Sequence, residues 1–287
     1  MTFGKVIFGD NQFLGVNHSN QTKASELFEK YKDPEKIIDT IGHAYAQGVR
    51  DFMFTTHERY EPVFEEIRRS NMFPGLYFSP CLPYAHKYWN QVTERGLIGA
   101  LSSTFLKKSP SRVLPSVLGI PFGKMKSLIK IILEIEILMC KGLPIRGIFL
   151  QNLAFDFLMS IEKLELISFF NEVVLDKFHV IPGFITMNHS LALATLCEKI
   201  GIDKPWICAN YNIAGFRMHP SKIICESSFA CGKSNNIAMS VMSSGKNSPA
   251  ESLDYVIKKL KLGEINSILF GSSNAENIIK NINKIIL

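Results

Sequence analysis

The sequence predicts a (β/α)8 barrel, an α/β fold of the TIM-barrel class, with a long insertion after the third strand. Three observations point to it. Eight short apolar segments with strand character recur along the chain, and amphipathic helical segments fall between most of them. The length of 287 residues with 46% hydrophobic content suits one large core, and a barrel of this kind takes about 250 residues. An open doubly wound sheet is the alternative. It needs a phosphate-binding turn early in the chain, and no G-x-G-x-x-G occurs. Residues 1–287 are therefore read as a single barrel domain.

The strand candidates are Lys5–Phe8, Phe52–Thr56, Leu76–Ser79, Gly147–Gln151, His179–Thr186, Trp206–Ala209, Ile237–Val241 and Ser267–Phe270. Helices are expected over Pro34–Gln47, Tyr60–Ser70, Met125–Cys140, Ile161–Asp176, Ser190–Ile200 and Ala250–Leu262, with a last one behind Gly271. Pro34 suits a first helical turn, and Gly48 and Gly142 suit helix ends. Residues 10–33 and 81–123 are too long for plain connections. Both leave from C-terminal strand ends, so they are expected over the barrel mouth. The 81–123 segment reads as a lid or recognition element, with an oligomer contact as the alternative.

Composition limits the function classes. A net charge of +6 with scattered Lys and Arg reads as solvated helix faces, not as a nucleic-acid patch. The six cysteines form no C-x-x-C pair and fit free thiols in a reducing compartment. No H-E-x-x-H or similar ligand spacing supports a metal. The N-terminus lacks the pattern of a signal peptide, and the most apolar helix, around residues 128–139, carries Lys130, Glu134 and Glu136. The expectation is a cytoplasmic enzyme-sized domain, off the membrane and with a small-molecule substrate. Oligomeric state is open.

The most informative stretch lies near the C-terminus. A short aliphatic strand runs into Gly271-Ser272-Ser273-Asn274, and a helix with Asn277 in its first turn follows. Free backbone N–H groups and the helix dipole make such a turn an anion site, with Gly271 permitting close approach. The bland reading is an ordinary helix cap.

Several blocks in order along the chain resemble the aldo-keto reductases. The block from Gly48 to Tyr60, containing Thr55-Thr56-His57, resembles that family's second strand and its catalytic Tyr. Arg146 to Asn152 resembles its fourth strand, Gly183 to Ser190 its fifth, and Ala209-Asn210-Tyr211-Asn212 its sixth. Ile237-Ala238-Met239-Ser240 resembles the seventh, and the Gly271–Asn274 turn the eighth. The resemblance implies NADP or NAD as cofactor, held by Asn188, Met239, Ser240, Gly271, Ser272, Ser273, Asn274 and Asn277. It implies Tyr60 as the acid.

The catalytic pattern departs from the family elsewhere. Its Asp position holds Thr55, its Lys position reads Ser79-Pro80-Cys81, its His position holds Asn152, and Met239 replaces the aromatic that stacks on nicotinamide. A phenol without a neighbouring ammonium keeps a pKa near about 10 and is a poor general acid. His57 either supplies the missing acid–base group or is held by neighbouring backbone. In the first loop, Asp10 or His18 could supply acid–base chemistry. Asp10, Asn11, Gln12, Asn17 and, from the fourth strand, Asn152 could bind substrate hydroxyls. Turn chemistry is the competing explanation for that loop. Cys81 lacks a visible activating partner.

The sequence thus supports an NAD(P)-linked oxidoreductase for a small hydroxylated or sugar-like substrate, with Tyr60, His57 and His18 as its acid–base set. The competing readings are a cofactor-free lyase, isomerase or aldolase for a phosphorylated sugar, and a non-catalytic barrel.

Overall fold

A computed structural model describes residues 2–16, 21–83 and 125–286. Asn17 and His18, and the insertion from residue 84 onward, lie outside the described residues. Eight parallel strands close into a barrel in sequence order: β1 Val6–Phe8, β2 Asp51–Thr55, β3 Tyr77–Leu82, β4 Gly147–Leu150, β5 Ile181–Thr186, β6 Trp206–Asn210, β7 Asn235–Met239 and β8 Ser267–Phe270. Closure is made by β1 on β8, with Val6, Ile7 and Phe8 opposite Ile268, Leu269 and Phe270. The barrel is the expected fold, and the open-sheet alternative falls.

The helices are α1 Gln21–Lys30, α2 Pro34–Ala46, α3 Tyr60–Arg69, α4 Met125–Ile137, α5 Asn152–Ser160, α6 Leu164–Val173, α7 His189–Leu193, α8 Lys222–Ala230, α9 Pro249–Lys261 and α10 Ala275–Ile286. Polar caps set their starts. Asp33 accepts from the backbone of Glu35 ahead of Pro34, and Ser248 with Glu251 forms a capping box on α9. Helices α1, α5 and α8 are additions to the expected set. Helix α5 occupies an apolar stretch, Leu153 to Met159, that carries no helical signal distinct from the strand before it. The proposed start of the insertion also moves, because Cys81 and Leu82 belong to β3 and pair with Phe149 and Leu150.

Alternation along each strand divides the core in two. Outward side chains such as Phe52, Phe54 and Ile268 pack under the helices. Inward ones, Ile7, Met53, Phe149, Ile185, Cys208 and Ile237, fill the barrel. Phe149 occupies the centre because β5 offers no side chain opposite it: a Cβ on Gly183 would lie 2.1 Å from the Phe149 ring. The N-terminal end is plugged by the buried Asp51–Arg146 pair, with Asp51 also accepting from the backbone of Gly4.

Candidate functional site

The site begins where β1 ends. Asp10 follows Phe8-Gly9 and is 8% exposed. Its Oδ2 accepts two hydrogen bonds, from the backbone N of Thr55 at 2.7 Å and from the Tyr60 hydroxyl at 3.1 Å. Burial pushes its carboxyl up from 3.8 to about 6, against the opposing pull of those two donors. Next to it, Gln12 donates to the Gly9 carbonyl at 2.7 Å and fills the space beside β8. A Cβ on Gly271 would fall 2.4 Å from Gln12 Oε1. The missing side chain of Gly271 therefore makes room for Gln12.

Asp10, Asn11 and Gln12 form one wall of a cleft of about 550 Å3 at the barrel mouth. Gln151 and Asn152 come from the end of β4, and Cys81 from β3. The far side carries Met239, Ser240, Ser244 and Gly245 after β7, and Gly271, Ser272 and Ser273 after β8. Lys23 of α1 and Phe216 of the loop after β6 complete the rim. A larger cleft, about 790 Å3, lies among α6, Ile200–Pro205 and the starts of β5 and β6, at the opposite end of the barrel. Active sites of such barrels are built at C-terminal strand ends, so the mouth cleft is the candidate.

The turns after β7 and β8 bring Ser240, Ser244, Ser272 and Ser273 to the cleft. Ser240 and Ser244 hold left-handed backbone, φ 56° each, among positions where L-residues are uncommon. Asn274 caps α10 by accepting from the backbone of Asn277 at 2.9 Å, and Ser272 Oγ accepts from the backbone of Asn274 at 3.2 Å. Lys30 of α1 donates to the Ser273 carbonyl at 3.3 Å. Helix α1 thus places Lys30 beside the β8 turn and Lys23 on the rim of the cleft.

The structure separates the expected residues. Asp10, Asn11, Asn152, Met239, Ser240, Gly271, Ser272 and Ser273 meet in one cleft. Asn274 and Asn277 form the cap behind it. Asn188 does not face the cleft: its Oδ1 caps α7, accepting from the backbone of Leu191 and from Ser190 Oγ. Tyr60 is fully buried in the outer core, edge-on to Phe54 at 5.2 Å and stacked on Phe64 at 5.5 Å. Burial, and then the negative charge of Asp10, hold its phenol well above the ordinary range. The physical reason for its placement is local. As the first residue of α3 beneath Phe54, it packs its ring in the outer core, and its hydroxyl reaches Asp10.

His57 also lies off the cleft, its Nδ1 accepting from the backbone of Arg59 at 3.0 Å. His18 and Asn17 fall outside the described residues. Cys81 lines the cleft, but burial and then the charge of Asp10 push its thiol well up, so a thiolate there is disfavoured. Lys23, Phe216, Ser244 and Gly245 carried no sequence signal. Among the described residues no group of His, Cys, Asp and Glu could hold a metal ion, and no helix is long and apolar enough to cross a membrane.

No family model and no curated protein matches the sequence. Solved structures do match. A protein from Pseudomonas aeruginosa provisionally assigned as an aldo-keto reductase aligns with a TM-score of 0.59 at 10% identity, over 98% of this chain and 89% of that one. An aldo-keto reductase from Klebsiella pneumoniae, solved in complex with NADPH, aligns with a TM-score of 0.55 at 8% identity, over 99% and 86%. One from Brucella melitensis gives 0.54 at 10% identity, over 89% and 86%. At such identities the likeness is one of fold: this chain has the barrel architecture of the aldo-keto reductases.

Proposed function

We propose that the chain is a divergent aldo-keto reductase that performs NAD(P)-linked oxidoreduction of a small hydroxylated or sugar-like substrate. One observation carries the reading. A single cleft joins the hydroxyl-rich turns after β7 and β8 to the buried Asp10 carboxyl at the end of β1. The donor set fits a dinucleotide. Ser272, Ser273, Ser240 and Ser244 offer hydroxyls, and Lys23 offers a positive charge to phosphate. Phe216 lines the cleft with the Lys246 ammonium 5.0 Å from its ring centroid, which adds a positive charge beside the cleft. A bound nicotinamide would supply or accept the hydride. The chain's own groups bind and orient: Asn11, Gln12, Gln151 and Asn152 present amides that suit hydroxyl or carbonyl oxygens.

The test is a titration with NADPH and NADH followed by nucleotide fluorescence and calorimetry. Saturable binding below millimolar concentration is expected, and no signal at that concentration sinks the cofactor reading. A second reading is supported by the absence of the family's Asp, Lys and His at Thr55, Ser79-Pro80-Cys81 and Asn152. It makes the protein a cofactor-free lyase, isomerase or aldolase whose phosphorylated sugar sits on the β8 turn. Sugar phosphates would then raise the melting temperature while NADPH leaves it unchanged.

A further inference from the structure

We propose that Asp10 is the proton-transfer residue of the mouth cleft, and that Tyr60 and the backbone of Thr55 act through it as positioning groups. The inference rests on the oxidoreductase reading and assigns the acid–base group that the reading lacks. Among the described residues, the ionisable side chains lining the cleft are Asp10, Lys23 and Cys81. Lys23 is exposed at the rim on α1. The Cys81 thiol is pushed up by burial and by Asp10 itself. Asp10 is the one carboxyl among the described residues that line the cleft.

The geometry fits the role. Asp10 lines the cleft, and its Oδ2 accepts from Thr55 N at 2.7 Å and from Tyr60 Oη at 3.1 Å, while the Thr55 hydroxyl and its own backbone N–H also bond the carboxyl. The donors come from β2 and α3, two rigid elements, and fix the carboxyl plane. The charged and titratable groups around it are Tyr60 from α3, Cys81 from β3, Arg59 just ahead of α3, which bears on the Tyr60 phenol, and Lys23 of α1 across the cleft. Burial at the cleft floor then brings the carboxyl to about 6, close to where a general acid works best.

A bound reduced nicotinamide would supply the hydride; in the reductive direction Asp10 would give its carboxyl proton to the substrate's carbonyl oxygen, leaving an alcohol and the Asp10 carboxylate, which would regain its proton from water. Reduction should therefore fall as pH rises above about 6, and alcohol oxidation should rise.

The experiment is an infrared difference titration of the NADPH-mixed protein between pH 5 and pH 8, comparing wild type, Asp10→Asn and Tyr60→Phe, with glyceraldehyde reduction measured on the same samples. A protonated carboxyl with a midpoint near 6 is expected in wild type and absent from Asp10→Asn. In Tyr60→Phe the midpoint should rise by about one pH unit, because a donor to the ionised form is gone. A residue with only a packing role would leave that midpoint in place. Asp10→Asn should lose about a hundredfold or more in rate, the usual contribution of a general acid. A wild-type midpoint below about 5 overturns the proposal, as does an Asp10→Asn rate equal to wild type. NADPH fluorescence separates the two readings. Equal NADPH binding without the titration overturns Asp10 alone. The titration without NADPH binding overturns the cofactor reading alone.

Discussion

The Tyr60 hydroxyl reaches out of the aromatic core to donate to Asp10 Oδ2 at 3.1 Å, so a core residue holds a cleft residue. The ring is packed by Phe52, Phe54 and Phe64, which leaves the hydroxyl little freedom to turn elsewhere. Tyr60→Phe keeps that packing and removes the hydrogen bond. A bond to a charged acceptor is worth about 1.5–3 kcal/mol and a neutral one about 0.5–1.5. The variant should lose about 2 kcal/mol in urea unfolding at pH 8 and about half of that at pH 5, where Asp10 is protonated. An equal loss at both values would mean that the hydroxyl does not sense the charge of Asp10.

Asp10 sets a pH dependence of its own. Its folded carboxyl titrates at about 6, against 3.8 in the unfolded chain. The native state therefore binds more protons between those values, and stability falls as pH rises through that window. The full penalty, about 3 kcal/mol, is present by pH 7. Asp10→Asn cannot ionise, and its amide oxygen can still accept from Thr55 N and Tyr60. The stability of the variant relative to wild type should rise by about 2.5 kcal/mol between pH 4 and pH 7, since part of the penalty is already present at pH 4. Taking the difference cancels the other carboxyls that burial raises, Asp51 and Asp156. A flat difference would show that Asp10 ionises freely in the fold.

His189 works in the opposite direction. It is fully buried, with Nε2 at 2.9 Å from Asn236 Oδ1 and Nδ1 at 2.8 Å from Ser228 Oγ. The Asn236 side-chain nitrogen donates to the Phe229 and Glu264 carbonyls, so its oxygen faces the imidazole and Nε2 carries the proton. Burial depresses the ring from 6.5 to about 4. The unfolded chain then binds more protons between those values. The stability from His189 is present above pH 6.5 and lost as pH falls through about 4, again about 3 kcal/mol. The two groups nearly cancel in wild type. In the Asp10→Asn background, adding His189→Gln should remove an acid slope of that size, and taking the difference between the two variants cancels Asp51 and Asp156. Urea unfolding at pH 7 and pH 4.5 reads both.

Much of this fold is legible in the sequence because strand and helix periodicities are local. Ser267–Phe270 and its following turn are where the residues say they are, as are the caps at Pro34 and Gly48. The placement of Tyr60 is different. Its spacing behind Thr55 suggests the mouth, but the side-chain direction depends on how α3 packs against Phe54, a tertiary fact with no local mark. Asn188 could equally read as a ligand or a cap, and the choice is made by the N–H of Leu191. Lys23 and Phe216 enter the cleft from a helix and a loop that have no register with the strands, so no pattern announces them. Asp10 was visible, being the first polar residue after β1, but its partners on β2 and α3 were not.

The barrel centre depends on one absent side chain. A Cβ on Gly183 would meet three Phe149 ring atoms at 2.1–2.6 Å. Phe149 is fully buried in the cluster that holds Phe3, Ile185 and Cys208. Gly183→Ala should therefore cost about 3 kcal/mol, the upper part of the usual range for overpacking. Phe149→Leu combined with Gly183→Ala should be more stable than Gly183→Ala alone. Urea unfolding of the three variants gives the coupling. Simple additivity would show that the ring is not what the methyl meets.

The turn after β8 can be tested without disturbing the fold. Ser272 Oγ accepts from the backbone of Asn274 at 3.2 Å, and an Asp side chain can accept the same bond. A carboxylate there also faces the positive end of α10, which stabilises a helix start by about 0.3–1 kcal/mol. Ser272→Asp should thus fold as well as wild type. A phosphate in the cleft would meet a new negative charge and lose a hydroxyl donor. The NADPH affinity of the variant should fall at least tenfold, since about 1.4 kcal/mol gives that factor and one charge-assisted hydrogen bond exceeds it. Fluorescence titration beside a thermal melt separates the outcomes. Lost affinity with an unchanged melt places phosphate at the turn. Unchanged affinity, or a protein that no longer folds, makes Ser272 a structural cap and moves any cofactor away from α10.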